Sequence, residues 1–371
     1  MLIPKKIFTV VNIAFFSTLI IVLTIQQYLG RKAICVQGIC PADAAAGMAA
    51  LQSFYNNSTG LWGVKKRWNS ANALETTIDY SALTHTKIYF TSILTTFEKH
   101  QNTKFLNPWF YDDEGWWALA WIKAYDLTGE VRYLNMAKVI FEDMKEGWDS
   151  TCGGGIWWSK KRKYKDAITN ELFLSVAAKL HLRTANDVGT GSYLNWAQQE
   201  WHWFKSMGLI NSSNLINDGL NGACQNNGET IWTYNQGVIL SGLVDLYKST
   251  KDTSFLLQAQ SIASAAIRTL APNEILQEPC ELSICGADSP QFKGVFMRNL
   301  SYLNQTVDRQ PYREFIVKNA NSIWLQNRNR ANQFGLSWAG PFDSADAVRQ
   351  SSAMDAINAA LALAMNRATY Q

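Results

Sequence analysis

An all-α fold, a toroid of helical hairpins, follows from three observations on this 371-residue sequence. A helical unit recurs three times with a period of about sixty residues. Strand-like alternation of apolar and polar residues is nearly absent. Glycine, asparagine and aspartate gather between the units, at DSTCGGG (149–155) and INDGLNGACQNNGET (216–230), where turns with positive φ are cheap.

Residues 4–33 read PKKIFTVVNIAFFSTLIIVLTIQQYLGRKA, in which Lys5 and Lys6 precede an apolar stretch over residues 7–25. That layout belongs to a secretory signal or an uncleaved membrane anchor. Residues 1–32 are therefore expected to be a signal peptide or signal anchor, and residues 33–371 one catalytic domain. Either reading puts the domain outside the cytoplasm.

Next comes SALTHTKIYFTSILTTFEKH (81–100), expected to be helical. The three repeats follow: WWALAWIKAYDLTGEVRYLNMAKVIFEDM from Trp116, LFLSVAAKLHLRTANDVGTGSYLNWAQQEWHWFKSM from Leu172, and QGVILSGLVDLYKSTKDTSFLLQAQSIASAAI from Gln236. Each is an apolar helix, a polar turn, and an aromatic-Leu-x-x-Ala stretch that opens another helix. YREFIVKNANSIWLQNRNR (312–330) and SSAMDAINAALALAM (351–365) extend the pattern, giving roughly ten to twelve helices in all. An open solenoid has shorter and more uniform repeats. Long hairpins joined by irregular, aromatic loops fit a closed ring whose loops form a cleft at one end.

Composition narrows the function. A net charge of +4, with the basic residues scattered except at SKKRKYKD (159–166), gives no stripe for nucleic acid. Four histidines and no Cys-x-x-Cys leave no basis for a metal centre, and no cofactor is expected. The six cysteines suit an exported chain; Cys35 with Cys40 and Cys280 with Cys285 would close short loops, and Cys152 with Cys224 would tie distant segments. Asn56, Asn57, Asn211, Asn299 and Asn304 head glycosylation sequons. Fifteen Trp, 14 Tyr and 17 Phe supply rings that can fill a core or stack on the C–H faces of sugars.

The stretch YDDEGWW places Asp112 and Asp113 at the entrance to the first repeat. An acidic residue there can simply cap a helix. Two neighbouring carboxylates also repel, so that one is held protonated while the other stays ionised. Retaining glycoside hydrolysis needs that division of labour, with the carboxyl groups about 5 to 5.5 Å apart. One repeat later stand Trp157, Trp158, Asn170 and Glu171; one further on, Trp232, Tyr234, Asn235 and Gln236. In a toroid all three entrances open onto one end. Trp117, Trp158, Asn170, Glu171, Trp232, Tyr234, Asn235 and Gln236 are the expected substrate-binding residues.

The motifs YDDEGWWALAWIKAYDLTG, GWDSTCGGGIWWS, YKDAITNELFLSVAAKL, WTYNQGV, QFKGVFMRNL and FGLSWAGPFDSADA, in that order, resemble glycoside hydrolase family 76, the α-1,6-mannanase type. The resemblance implies an (α/α)6 toroid and a retaining endo-acting hydrolase of α-1,6-linked mannan, with Asp112 as nucleophile and Asp113 as general acid/base. It also implies a monomer whose partner is a mannose-containing glycan. The family includes fungal wall proteins thought to act on anchor glycans; the chain, ending NRATYQ without a hydrophobic tail, resembles the hydrolytic branch more closely. Three rivals remain: a transglycosylase acting on mannose of wall or anchor glycans, a non-catalytic carbohydrate-binding protein, and a helical-repeat scaffold for proteins.

Overall fold

The computed structural model describes Cys35, residues 38–63 and residues 67–368, without the side chains of 366–368. The expected signal or anchor segment, residues 1–32, lies outside the described residues. No described helix is long and apolar enough to cross a membrane.

Twelve α-helices are present among the described residues: α1 (Pro41–Gln52), α2 (Arg67–Thr84), α3 (Phe90–His100), α4 (Tyr111–Thr128), α5 (Val131–Lys145), α6 (Ala167–His181), α7 (Tyr193–Ser206), α8 (Thr233–Thr250), α9 (Ser254–Leu270), α10 (Phe292–Val307), α11 (Gln310–Gln326) and α12 (Ala347–Ala368). The even-numbered helices form the inner ring. Each packs on the next, α2 on α4 and so on to α12, and α12 packs back on α2, so the ring closes. Odd-numbered helices lie outside them. The three sequence repeats are the hairpins α4–α5, α6–α7 and α8–α9.

The two layers differ in composition because they differ in surroundings. Every residue of α6 from Ala167 to Leu180 is buried, as befits a helix walled in on all sides. The outer helix α5 instead buries Tyr133, Leu134, Ala137, Ile140, Phe141 and Met144, the single stripe of a surface helix. Two glycines let the inner helices approach closely. A Cβ at Gly237 of α8 would lie 2.6 Å from Phe296 Cα, and one at Gly294 of α10 would lie 2.5 Å from Ser352 Cα.

The segment 81–100 is not one helix. It holds the end of α2, a loop with His85 in the left-handed region (φ 54°), and α3. A two-stranded antiparallel hairpin, β1 (Tyr55–Asn56) with β2 (Leu61–Trp62), precedes α2. The three disulfides are Cys35–Cys40, Cys152–Cys224 and Cys280–Cys285. Of the sequons, Asn304 is buried on α10 and accepts a hydrogen bond from Arg309 N–H, which leaves no room for a glycan.

Candidate active site

At the N-terminal end of the inner ring the loops enclose a cavity of about 580 Å³. Inner helices point their positive dipole ends towards it, which favours carboxylates there. Helix α4 starts at Tyr111, with Phe110 as the extended residue before it. Asp112 and Asp113 therefore occupy the first turn rather than the capping position, and both line the cavity.

Asp112 Oδ1 accepts the backbone N–H of Asp113 at 2.9 Å, and its Oδ2 accepts the Trp158 indole N–H at 3.1 Å. Asp113 Oδ2 accepts the side-chain amide of Asn107 at 2.6 Å. Burial, and then the charges of Asp113 and Asp166, push the Asp112 carboxyl well above the usual range, while the two hydrogen bonds on it pull the other way. Two neighbouring carboxyls placed this way favour a shared proton over two full charges.

Behind the pair, Glu114 is fully buried. Its Oε1 accepts Asn107 N–H at 2.7 Å and sits 2.8 Å from Lys160 Nζ, while Oε2 has no partner among the described residues. Burial raises this carboxyl to about 8, and a proton on Oε2 leaves Oε1 free to accept both donors.

Aromatic rings build one wall of the cavity. Trp68 stacks between Trp116 (5.7 Å) and Phe292 (6.3 Å), and Tyr234 stacks on Phe292 at 3.8 Å. Across from them Trp158, 36% exposed, leans on Phe110 at 4.7 Å. Offset rings of this kind present flat apolar faces of the sort that sugar rings cover.

More carboxylates stand around the rim. Asp166 caps α6 through Thr169 N–H (3.2 Å), and burial raises it to about 8. Asp218 accepts the Tyr164 hydroxyl at 2.7 Å and is also raised by burial. Asp288 accepts the Trp68 indole N–H at 3.2 Å. Arg67 is the cation on this lining, and the charge of Asp113 acts on it.

Of the residues expected from sequence, the structure brings Asp112, Asp113, Trp158 and Tyr234 together on the cavity. Trp232 stands just behind, edge-on to Phe292 at 5.6 Å. Trp117 is a correction: it is 2% exposed and packs on Phe105 and Trp121 in the core. About 100° of helical rotation separates it from Trp116, which does line the cavity.

Asn170 and Gln236 are corrections of another kind. The Asn170 amide accepts Ile156 N–H (2.6 Å) and donates to Ile156 C=O (3.0 Å). Gln236 does the same to Ile216, at 2.9 Å for both bonds. Their equivalence across repeats is real, but it is a clamp on the preceding loop, not a sugar contact. Glu171 and Asn235 are likewise fully buried behind the lining, with no hydrogen-bond partner for their side-chain atoms among the described residues.

Sequence reasoning missed Asn107, Arg67, Trp68, Asp166, Asp218, Asp288 and Phe292. A signal existed for Asp166 and Asp218, each a lone acid beside a helix start or a glycine turn. Nothing marked Arg67 or Asn107, whose place depends on how separate loops meet.

The model of the family described as Glycosyl hydrolase family 76 matches residues 41–371. Among curated proteins, the mannan endo-1,6-alpha-mannosidase DCW1 of Candida albicans is 29% identical over 210 residues, 51% of this chain and 46% of that protein. DCW1 of Eremothecium gossypii is 27% identical over 278 residues, 68% of this chain and 60% of the relative. The chain spans about half the length of the first curated relatives it matches. Among solved structures, an inactive variant of the alpha-1,6-mannanase GH76A of Salegentibacter sp. HEL1_6, with two consecutive aspartates changed to asparagine, is in complex with alpha-1,6-mannotriose. It superposes with TM-score 0.76 at 24% identity, covering 86% of this chain and 98% of that one. Dfg5 from Chaetomium thermophilum, in complex with glucosamine, has TM-score 0.76 at 21% identity, covering 86% and 90%. These likenesses establish the (α/α)6 toroid.

Proposed function

The chain belongs to glycosyl hydrolase family 76, and on that premise we propose that it is a retaining, endo-acting hydrolase of α-1,6-linked mannan. Asp112 attacks the anomeric carbon while Asp113 gives its proton to the departing glycosidic oxygen; the C1–O bond breaks and an ester to Asp112 forms. Water then loses a proton to Asp113 and attacks C1, which frees Asp112 and restores the starting protonation.

The observation that carries this reading is the pair itself: two neighbouring carboxyls, Asp112 and Asp113, on one cavity. Indole and backbone N–H groups on Asp112 stabilise its charge and suit it to the nucleophile's part. Asp113, whose Oδ2 accepts the Asn107 amide, is the partner through which the proton passes. The aromatic wall offers faces to sugar rings, and the cavity is large enough for several heavy groups of a chain substrate. The mannotriose complex of the Salegentibacter variant, inactive with two consecutive aspartates replaced, supports both substrate and residues. Three disulfides support an extracytoplasmic location.

The test is incubation of linear α-1,6-mannan with the wild type, Asp112→Asn and Asp113→Asn, followed by product sizing and NMR of the first-formed anomer. The wild type is expected to release reducing mannose oligomers of retained configuration, and each variant to lose roughly a thousandfold or more. Full activity in Asp112→Asn sinks the mechanism. Product chains longer than the substrate, formed when an acceptor sugar is added, would favour transfer over hydrolysis.

A further inference from the structure

Asn107 lies in the NPWF loop that leads into α4, and every hydrogen-bonding group it has on that side is committed. Its amide oxygen accepts the N–H of Trp109 (2.8 Å) and of Phe110 (3.2 Å), an Asx turn that fixes which end of the amide faces which way. The nitrogen end is thereby aimed at Asp113 Oδ2, 2.6 Å away. Its backbone N–H donates to Glu114 Oε1, which Lys160 holds from the far side; Lys160 is in turn bonded to Asp143 at 2.7 Å. The side chain is thus pinned at both ends before any substrate arrives.

We propose that Asn107 is the positioning residue of Asp113: its amide occupies Oδ2 as a permanent donor, so that the catalytic proton is loaded on, and delivered from, the other oxygen. This rests on the assignment of Asp113 as acid/base. A carboxyl that shuttles a proton must present one defined oxygen to the leaving group, since proton transfer is geometry-limited. An amide donor cannot take up a proton at working pH, and so it marks one oxygen as acceptor throughout the cycle. It also favours the ionised form, which sets the pH above which Asp113 is empty. Among the described residues, the titratable and charged groups that share the cavity or its back with Asp113 are Asp112 beside it, Arg67 at the start of α2, Asp166 at the start of α6, Tyr234 on α8, Asp218 and Asp288 on the rim, and Glu114 with Lys160 behind it.

Two substitutions separate this role from a merely structural one. Asn107→Ser keeps a short acceptor for the turn N–H groups but cannot reach Asp113. Asn107→Asp keeps the turn and replaces the donor with an acceptor. Both are expected to melt within a few degrees of the wild type. On α-1,6-mannan, kcat is expected to fall roughly tenfold to a hundredfold, with KM within about twofold. The upper limb of the kcat pH profile is expected to move to higher pH, further in Asn107→Asp than in Asn107→Ser, because a lost donor and then an added negative charge both disfavour ionised Asp113.

A readout without substrate keeps this apart from the functional proposal. In protein carrying 13C at the aspartate Cγ, the resonance that disappears in Asp113→Asn reports Asp113 directly. Its titration midpoint is expected to rise in both Asn107 variants. A raised midpoint in a protein that leaves mannan uncut supports the hold of Asn107 on Asp113 while removing the substrate assignment. Midpoints and pH profiles that superimpose on wild type in both variants overturn the proposal.

Discussion

Burial and the neighbouring acids hold the Asp112 carboxyl well above the usual range, and two donors work against them, its neighbour's backbone N–H and the Trp158 indole. The indole is the removable one. Trp158→Phe keeps the ring against Phe110 and the cavity but deletes the N–H, so Asp112 is expected to ionise at higher pH than before. In the proposed mechanism Asp112 attacks in its ionised form, so the acid limb of the activity profile should move up, with kcat on mannan down about tenfold near neutrality and more below it. Initial rates from pH 4 to 8 check this, and an unmoved acid limb would remove Trp158 from the nucleophile's support. At this scale the sequence was most readable where chemistry sits in one contiguous motif: YDDEGWW and IWWS contain Asp112, Asp113 and Trp158. Asp166 lies in the same YKDAITNEL segment as the expected Asn170 and Glu171. With α6 starting at Ala167, those two turn into the ring interior, and that register depends on the cap rather than on the apolar pattern.

Among elements, the loops decide the site, and they were the least legible part. The basic run SKKRKYKD reads as one charged patch, yet the structure splits it. Lys160 supports Glu114, Arg162 pairs with Asp149, and Lys165 is buried. Lys165 Nζ takes the carbonyls of Thr151 (2.7 Å), Gly154 (2.6 Å) and Gly155 (2.9 Å) and lies 3.1 Å from Asp149 Oδ1. Trp203 closes the same loop, donating to Cys152 C=O at 2.9 Å; a Cβ at Gly155, whose φ is +82°, would lie 2.4 Å from its ring. One ammonium therefore organises the loop next to Trp158, whose backbone in turn receives and gives the bonds that tie it to Tyr164 and Tyr111. Lys165→Met leaves three carbonyls without their donor and takes one of several donors from Asp149, and a stability loss of about 3 to 5 kcal/mol is expected. Lys161→Ala, on the exposed part of the run, should stay within about 0.5 kcal/mol. Urea unfolding of both variants tests the contrast, and equal midpoints would mean that the loop holds itself. Helical hairpins, by comparison, were legible because a period near 3.6 and a sixty-residue repeat survive in any register.

Taken whole, the ring has a polar interior as well as an apolar one, and this makes its stability depend on pH in a direction that the +4 net charge does not reveal. Arg298 of α10 reaches Glu75 of α2 at 3.0 Å and Asp355 of α12 at 2.9 Å, joining helices on either side of the point where the ring closes. Closure was expected from the irregular loops, but the pairs that stitch it were not visible, since Arg298 lies 57 residues from Asp355 and more than two hundred from Glu75. Several buried acids sit far above their ordinary values. Burial raises Glu278, which caps α8 through Thr233, to about 8, Asp166 to about 8 and Asp355 to about 6. Such a group is protonated in the folded chain while its unfolded counterpart ionises near pH 4 to 4.5. Its stabilising share is therefore complete below that pH and is lost as pH rises through the folded value, with a slope of up to roughly 1.4 kcal/mol per pH unit per group. Asp149 works the other way. Held to about 2 by hydrogen bonds from Trp157 and Lys165 that outweigh its burial, it contributes above its unfolded value and loses that contribution as pH falls towards 2. The two opposing slopes place the stability maximum in mildly acidic solution, near pH 4 to 5. Thermal melts from pH 3 to 9 at constant ionic strength should therefore show Tm falling from about pH 5 to 8, and falling again below about pH 4. A Tm that rises steadily from pH 5 to 8 would mean that the buried acids are ionised in the folded ring, and with them Asp166 beside Asp112 and Asp113.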